Sequence, residues 1–503
     1  MLKIAHHIVV GAALFALCGL YGGAAWAQDE AISWETVRPD DDADVTPDSP
    51  LVESPKVHYH LEKVVIHGNR KTLRSVILRY LQIHPGDLFS AEDTTLEESK
   101  YRMLASGLFS AVSFELKKGS ARGYVVLEIK VRERNTIVVR DLTVGMTRIA
   151  PHWDDVVPYG SIGVEERSFL GSGIQVGGTV AASKDQSAYR IYWRDDHFLD
   201  SKFGLHVQGQ YAEAQEYFGN HYLPGPDEET TFGTYEVLDY RRAGLRLGTG
   251  YNLLSDYFFW FDLRFENILA EEPQTVEGTR YQTLVDDEPV AIGYLQPDDS
   301  VLSSFLFGFT RDTTNHPVLP YDGSVTRFSV ELSHPLFASD YDFVKFQLSH
   351  TTYFPFGKRG QSISVGGQAG LISGNAPFFD QFFVGDYSAF VPDRQLGLNF
   401  SNLHPQILDT DISDMWYEDM ALSLNTEWSR PIYRGSGFVY GINTFVRFGV
   451  YGLASTQHVD GKDIPVDLTG DFGLRIDTNV GIFSFSFASV LQLIPPIRKE
   501  TTQ

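Results

Sequence analysis

From Val138 onward, apolar and polar residues alternate with a period of two, segment after segment. In Phe259–Glu266, Phe259, Phe261, Leu263 and Phe265 share one face, and Trp260, Asp262, Arg264 and Glu266 share the other. In Ala421–Ser429, Leu422, Leu424, Thr426 and Trp428 oppose Ser423, Asn425, Glu427 and Ser429. In Phe438–Val450, Tyr440, Ile442, Thr444, Val446 and Phe448 oppose Gly441, Asn443, Phe445, Arg447 and Gly449. Phe328–Ser333 and Phe483–Leu491 repeat the pattern. A period of two belongs to β-strands whose faces meet different surroundings. The charges in these strands fall on one face.

Two architectures alternate in this way. A soluble sandwich turns its polar face to water. A membrane barrel turns its apolar face to lipid and its polar face to the lumen, and closes so that every backbone group pairs. The connections separate them. Long ones (216–240, 267–303, 372–420) alternate with short ones (252–257, 478–481), the pattern of outer loops and inner turns. The chain therefore reads as a transmembrane antiparallel β-barrel over residues 138–497. Fifteen candidate strands run from Val138–Thr147 to Ile482–Leu491. Single-chain bacterial barrels use even numbers, so the expected count is sixteen, or fourteen if Val138–Thr147 is not a strand. Ile494-Pro495-Pro496-Ile497 makes a poor closing strand, because proline cannot donate to the ladder. Residues 498–503 read as a tail.

Residues 1–27 carry Lys3, an apolar run Ile8–Tyr21 and the small-residue ending Ala25-Trp26-Ala27, the pattern of a secretory signal peptide. The one cysteine, Cys18, lies inside it, so the mature chain has no thiol chemistry. Residues 28–58 are acidic and proline-containing and read as a disordered linker, with His58 and His60 as linker residues. After residue 28 no stretch is long and apolar enough for a membrane helix. A net charge of −24 argues against nucleic acid as a partner. The 25 Tyr, 35 Phe and 45 Gly suit a lipid-facing β protein better than a soluble α/β enzyme.

Residues 59–134 form a different unit. An apolar strand, Leu61–Ile66, ends at Gly68-Asn69. Thr72 is expected to cap a helix carrying Val76, Ile77, Tyr80 and Leu81, and Ser90 with Asp93 a second helix carrying Leu96, Met103 and Leu104. Two alternating strands follow, through Val112, Phe114, Leu116 and then Val125, Leu127, Ile129, Val131. The order is β-α-α-β-β, a small α+β domain.

This domain resembles a polypeptide-transport-associated (POTRA) domain. The similar stretches are Val65-Ile66-His67-Gly68-Asn69-Arg70-Lys71-Thr72, Pro85-Gly86-Asp87, Gly107-Leu108-Phe109-Ser110-Ala111-Val112 and Val131-Arg132-Glu133-Arg134. The barrel is similar to that of the BamA/TamA assembly and two-partner-secretion transporter superfamily, the bacterial surface antigens. The stretches here are Glu166-Arg167-Ser168-Phe169-Leu170-Gly171-Ser172-Gly173, Thr310-Arg311-Asp312-Thr313 with Pro320-Tyr321-Asp322-Gly323, Tyr353-Phe354-Pro355-Phe356 and Asn425-Thr426-Glu427. In that superfamily a long outer loop enters the lumen, and its Arg-Gly-aromatic tip pairs with acids of the inner wall. Here the corresponding stretch, Phe383–Val391, has neither the arginine nor the glycine of that tip; Arg394 follows it. The family's wall acids map to Glu427 and to position 447, which is arginine. The expectation is a rewired lock, with Arg394 approaching Glu427 and Arg447 pairing with Asp386 or Asp393. The bland alternative is that Glu427 and Arg447 line an open pore.

No Gly-x-Ser-x-Gly elbow, His-Glu-x-x-His motif or nucleotide-binding loop stands out. Acidic stretches such as Asp286-Asp287-Glu288 and 409–419 read as solvated loops rather than Ca²⁺ sites. No cofactor, metal or catalytic residue is expected, and the chain is not expected to be an enzyme. The resemblance implies an outer-membrane protein of a Gram-negative bacterium, with the POTRA-like domain in the periplasm. Outer-membrane lipid surrounds the barrel, and the POTRA-like domain meets an unfolded client or secreted polypeptide. The implied function is translocation across, or assembly into, the outer membrane. The alternative is a passive channel or structural surface protein. A hydrolase with groups on the outer rim would need a clustered Ser, His and Asp.

Overall fold

The fold follows from where each backbone amide finds its partner. In this computed structural model the described residues are 58–490, apart from 91–93, 149–155, 220–234, 254–255, 272–273, 276–281, 286–287, 292–294, 296–297, 316–318, 358–359, 388–393, 401–416, 436 and 455–465. The signal-like segment, the linker to residue 57, Asp93, Asp286, Asp287, Asp393, the acidic stretch 409–416 and the residues after 490 lie outside them.

The N-terminal sheet comprises β1 (His58–His67), β2 (Leu88–Ser90), β3 (Phe109–Lys118) and β4 (Tyr124–Glu133), in the order β2-β1-β4-β3. Helices Arg74–Arg79 and Thr94–Ala105 lie between β1 and β3 in sequence. Val76, Ile77, Met103, Leu127 and Ile129 are buried. His58 and His60 belong to β1 rather than to a linker; the His60 ring stacks on Tyr124 at 5.4 Å. Thr72 does not cap the first helix, whose N-cap residue is Leu73 with no side-chain bond. Instead the amides of Lys71 (2.9 Å) and Thr72 (2.7 Å) donate to Glu133 at the end of β4. Thr72 lies one residue before the N-cap, and the charged acceptor Glu133 holds the segment that leads into the helix.

Fifteen long strands make the wall of the barrel. They are β5 (Ile137–Arg148), β6 (Val156–Phe169), β7 (Ile174–Ala182), β8 (Ser187–Asp195), β9 (Phe203–Gly219), β10 (Tyr235–Asn252) and β11 (Tyr257–Ala270). Then come β15 (Asp298–Asp312), β16 (Gly323–Ser333), β17 (Asp342–Pro355) and β18 (Ser362–Asn375), after the short β12 (Gln274–Thr275), β13 (Gln282–Val285) and β14 (Glu288–Ala291). The last are β21 (Met420–Arg434), β22 (Val439–Ala454), β23 (Val466–Thr478) and β24 (Gly481–Val490), preceded by β19 (Phe382–Phe383) and β20 (Tyr417–Glu418) in the long loop. The end where β5 begins is called proximal here, and the opposite end distal.

Each long strand pairs antiparallel with the next, and β11 returns to β10 and β15, so the sheet closes. The two-residue β12 extends β11 against β10 and makes a sixteen-stranded sheet. Ile137–Arg148 is a strand, so the fourteen-strand alternative does not hold. Fifteen long strands cannot all close antiparallel. The first and last therefore meet parallel, through one pair among the described residues, Gly481↔Val139.

The faces follow the period of two. In β11 Phe261, Leu263 and Phe265 point outward and are exposed, whereas Asp262, Arg264 and Glu266 are buried inside. The outward apolar run Tyr257–Phe265 spans about 27 Å of strand, or about 21 Å of height at a tilt of ~40°, close to the apolar band of a membrane barrel.

Glu133 supplies a test of the N-terminal unit. Burial works against its ionisation, but the amides of Thr72 and Lys71 outweigh it and hold the carboxyl below its ordinary value of 4.5. Such a group stabilises above its unfolded pKa, and the effect is lost as pH falls through the lower folded value. Glu133→Gln should raise amide exchange at residues 71–72 of the full chain by about tenfold at neutral pH, about 1.4 kcal/mol. The two proteins should converge in acid. Equal exchange at neutral pH would refute the role.

Candidate functional site

The inner wall and the long loop between β18 and β21 form the candidate site. Phe378, Phe379, Phe382, Phe383 and Val384 of the loop are buried in one cluster with the wall residues Leu238, Tyr240, Ile268, Leu302, Phe343 and Ile372. Farther along the loop, Leu398 and Phe400 join the same cluster with Ala181, Ala188 and Ala212. Ser161 Oγ of β6 donates to Gln395 Oε1 (2.8 Å), and Gln186 Nε2 donates to the Asn399 carbonyl (3.2 Å). Asn399 Nδ2 and Tyr417 Oη donate to Glu216 of β9, at 3.2 and 2.8 Å. The loop thus touches inward-facing residues on both sides of the bore and plugs its distal half.

A buried ion network seats the plug. Arg264 Nε donates to Glu266 (2.7 Å), and its Nη1 donates to Glu331 (2.9 Å) and to both carboxylate oxygens of Asp380 (3.0 Å). Arg242 donates to Glu266 (2.8 Å) and lies 3.6 Å over the Phe379 ring. Lys345 Nζ donates to the Asp380 carbonyl (2.6 Å), and Ser304 Oγ to Glu331 (2.6 Å). Three cations, Arg242, Arg264 and Lys345, face three anions, Glu266, Glu331 and Asp380, so the network is neutral as a whole. Glycine makes part of it possible. A Cβ on Gly244 would lie 2.6 Å from Glu266 Cγ, so only a bare strand lets Gln210 reach across β10 to Glu266 (2.6 Å).

The pairings of the lock expected between described residues are not the ones formed. Arg394 is in the plug, but it pairs with Asp386 of the same loop (2.7 Å) and donates to the Phe379 carbonyl (2.9 Å), not to Glu427. Glu427 accepts from Arg447 (2.8 Å) and from Arg475 of β23 (2.6 Å). Arg447 also lies 3.8 Å from Asp471, and it does not reach Asp386. The reason is register. Arg447 stands directly opposite Glu427 in the β21–β22 ladder, where side chains lie about 5 Å apart. That partner is supplied by the wall itself, so Glu427 needs nothing from the loop. Asp393 lies outside the described residues.

The wall–loop ion pair is instead made by Arg264 and Asp380, with the arginine on the wall and the acid on the loop. Sequence reasoning placed Arg264 and Glu266 on the polar face but did not pick out Asp380. Its one signal is an acid directly after Phe378-Phe379, in a loop otherwise rich in buried aromatics.

These observations fit the comparisons with known proteins. A profile of the Omp85 superfamily domain matches residues 168–390, and one of the surface antigen variable number repeat, a POTRA repeat, matches residues 59–134. Residues 168–390 are thus similar to the Omp85 superfamily domain and residues 59–134 to a POTRA repeat. The chain is 23% identical over 382 residues to the outer membrane protein assembly factor BamA of Nitratidesulfovibrio vulgaris, covering 73% of this chain. It is 26% identical over 143 residues to a putative outer membrane protein assembly factor of Treponema pallidum, covering 28% of this chain. The chain spans only 41% and 16% of the lengths of these two relatives. The structure of CdiB from Escherichia coli has the same fold, with a TM-score of 0.56 at 11% identity, covering 86% of this chain and 73% of that one. The two sequence relatives are named as assembly factors. The fold and the two matched stretches are those of an Omp85-type β-barrel behind a POTRA repeat.

Two predictions test the plug. Asp380→Ala removes the loop's anchor while leaving Arg264 paired with Glu266 and Glu331, so the wall should still fold. Conductance of the reconstituted barrel should be low and rise severalfold in this variant; an unchanged value would show that Asp380 does not seat the plug. Glu418, paired with Phe382 in the loop, has a buried Oε2 without a hydrogen bond. Burial, with a contribution from Asp419, pushes its carboxyl up to about 8. Folded protein then holds a proton that unfolded protein releases, so stability falls as pH rises from about 4.5 to about 8. Glu418→Gln should flatten that fall in the temperature of heat-modifiable gel migration; parallel curves for the two proteins would refute it.

Proposed function

We propose that the chain moves polypeptides across the outer membrane or assembles them into it, with its POTRA domain in the periplasm. One observation carries the reading: the seam between β24 and β5. Neighbouring long strands elsewhere are joined by many rungs. Here one residue pair remains among the described residues, with the Val139 amide donating to the Val480 carbonyl (2.6 Å). Gly481 is required at this crossing, because a Cβ would run into the Val139 carbonyl oxygen. The junction is held at its proximal end. Arg134 pairs with Asp477 and donates to the Thr478 carbonyl (2.9 Å), while Asn135 Nδ2 donates to the Asn479 carbonyl (3.2 Å). Strand edges with few rungs are templates for an added strand. A client strand could pair there and be handed to the membrane. The POTRA sheet could hold a client by the same edge pairing.

Such work needs no catalytic group. The seated plug speaks against the alternative of a passive channel, because the distal bore is filled by the loop.

The seam can be locked to test this. In a mature chain free of cysteine, Val139→Cys and Phe483→Cys, which share the outward face, are joined by a short bismaleimide. The readout is the rate at which an unfolded outer-membrane β-barrel inserts into proteoliposomes containing the protein. Locking should abolish the acceleration that the unlocked double variant provides. Equal rates would overturn the seam-based reading.

A further inference from the structure

On the outer wall the apolar band is interrupted near the proximal end. Outward-facing residues there form one row across four strands, Tyr257, Arg311, Thr326 and His350, fixed by the pairs Tyr257↔Arg311, Arg311↔Thr326 and Thr326↔His350. Just distal to this row the same faces carry Phe259, Phe309, Phe328 and Leu348, so the change from apolar to polar is abrupt.

His350 lies between two threonines. Its Nδ1 is 2.7 Å from Thr326 Oγ1, and its Nε2 is 2.8 Å from Thr352 Oγ1. A neutral imidazole offers one N–H and one lone pair. One threonine therefore donates to the ring and the other accepts from it. The accepting hydroxyl keeps its own proton, on a surface that faces lipid, where an unmet donor is costly. Arg311 adds charge to the row. Its Nε donates to Asp256 at 3.4 Å, its guanidinium lies 5.4 Å over the Tyr257 ring, and its side chain is 30% exposed. The Nη groups point to no acceptor among the described residues.

We propose that Arg311, Thr326, His350 and Thr352 form a binding site for the phosphate of a membrane phospholipid, on the lipid-facing wall at the proximal leaflet. The occupant is a lipid rather than a soluble anion for two reasons. The row borders the phenylalanine band, which accommodates acyl chains. Tyr257 also sits where aromatic side chains collect at a membrane surface. Asp256 limits the site's net positive charge, so recognition rests on the fork of Arg311 and the spare hydroxyl together. Such a site would fix the rotation and depth of this part of the wall in the bilayer.

The test uses the full chain refolded in detergent, with phosphatidylglycerol added and bound lipid counted by native mass spectrometry. Thr326→Val/His350→Leu and Arg311→Gln should each lower retention about tenfold. Arg241→Gln, on the outer wall at the distal end where Arg241 pairs with Glu213, should leave it unchanged. Heat-modifiable migration reports whether each variant is folded, and Arg311→Gln carries the test if the double variant is not. Equal retention by all variants would overturn the site. So would equal retention of diacylglycerol, which has no phosphate. Displacement of the lipid by inorganic phosphate at the same concentration would overturn the lipid as occupant.

Discussion

Everything in the barrel depends on the rule that a backbone amide facing lipid must be paired within the protein. The rule turns a chain of alternating strands into a closed sheet and leaves only the seam to compromise. Fifteen long strands bring β24 and β5 together in the same direction. Among the described residues this parallel meeting shows one rung, at Gly481. The parallel direction follows from the odd number of long strands, and the proximal grip of Arg134 and Asn135 keeps the junction in place.

Inside the wall the constraint is electrostatic. Charges taken from water are costly unless each is paired and hydrogen-bonded. The inner wall meets this with groups of matched charge: Arg242, Arg264 and Lys345 against Glu266, Glu331 and Asp380, and Arg447 and Arg475 against Glu427 and Asp471. Of these two groups, the first recruits the loop. It does so through a single carboxylate, Asp380, set among aromatic rings that bury themselves against Tyr240 and Phe343. Apolar burial holds the plug in the bore, and the ion network defines where it sits.

The superfamily resemblance correctly pointed to the fold and to Glu427 as an inward acid, but it misled on the lock. Mapping a motif assumed that the loop's arginine and the wall's acid would remain partners. In this chain Arg447 stands opposite Glu427, so the wall satisfies its own acid and the loop makes a different contact with the opposite polarity. The helix cap shows the same lesson on a smaller scale. Thr72 has the right residue type to cap, yet it lies one residue before the N-cap and is held by Glu133, 61 positions away in sequence.

Much of the architecture was legible from the order of residues alone. Strand positions, the inward face of Arg264 and Glu427, the outward face of Phe261 and Phe265 and the alternation of loop lengths all depend on the period of two, which is local. Partner choice was not legible. Whether Asp380 meets Arg264, whether Glu427 meets Arg475, and whether the closing pair runs parallel all depend on strand register and on the path of a loop through the bore. These are settled only when distant segments pack together, because the energies that decide them act across space rather than along the chain.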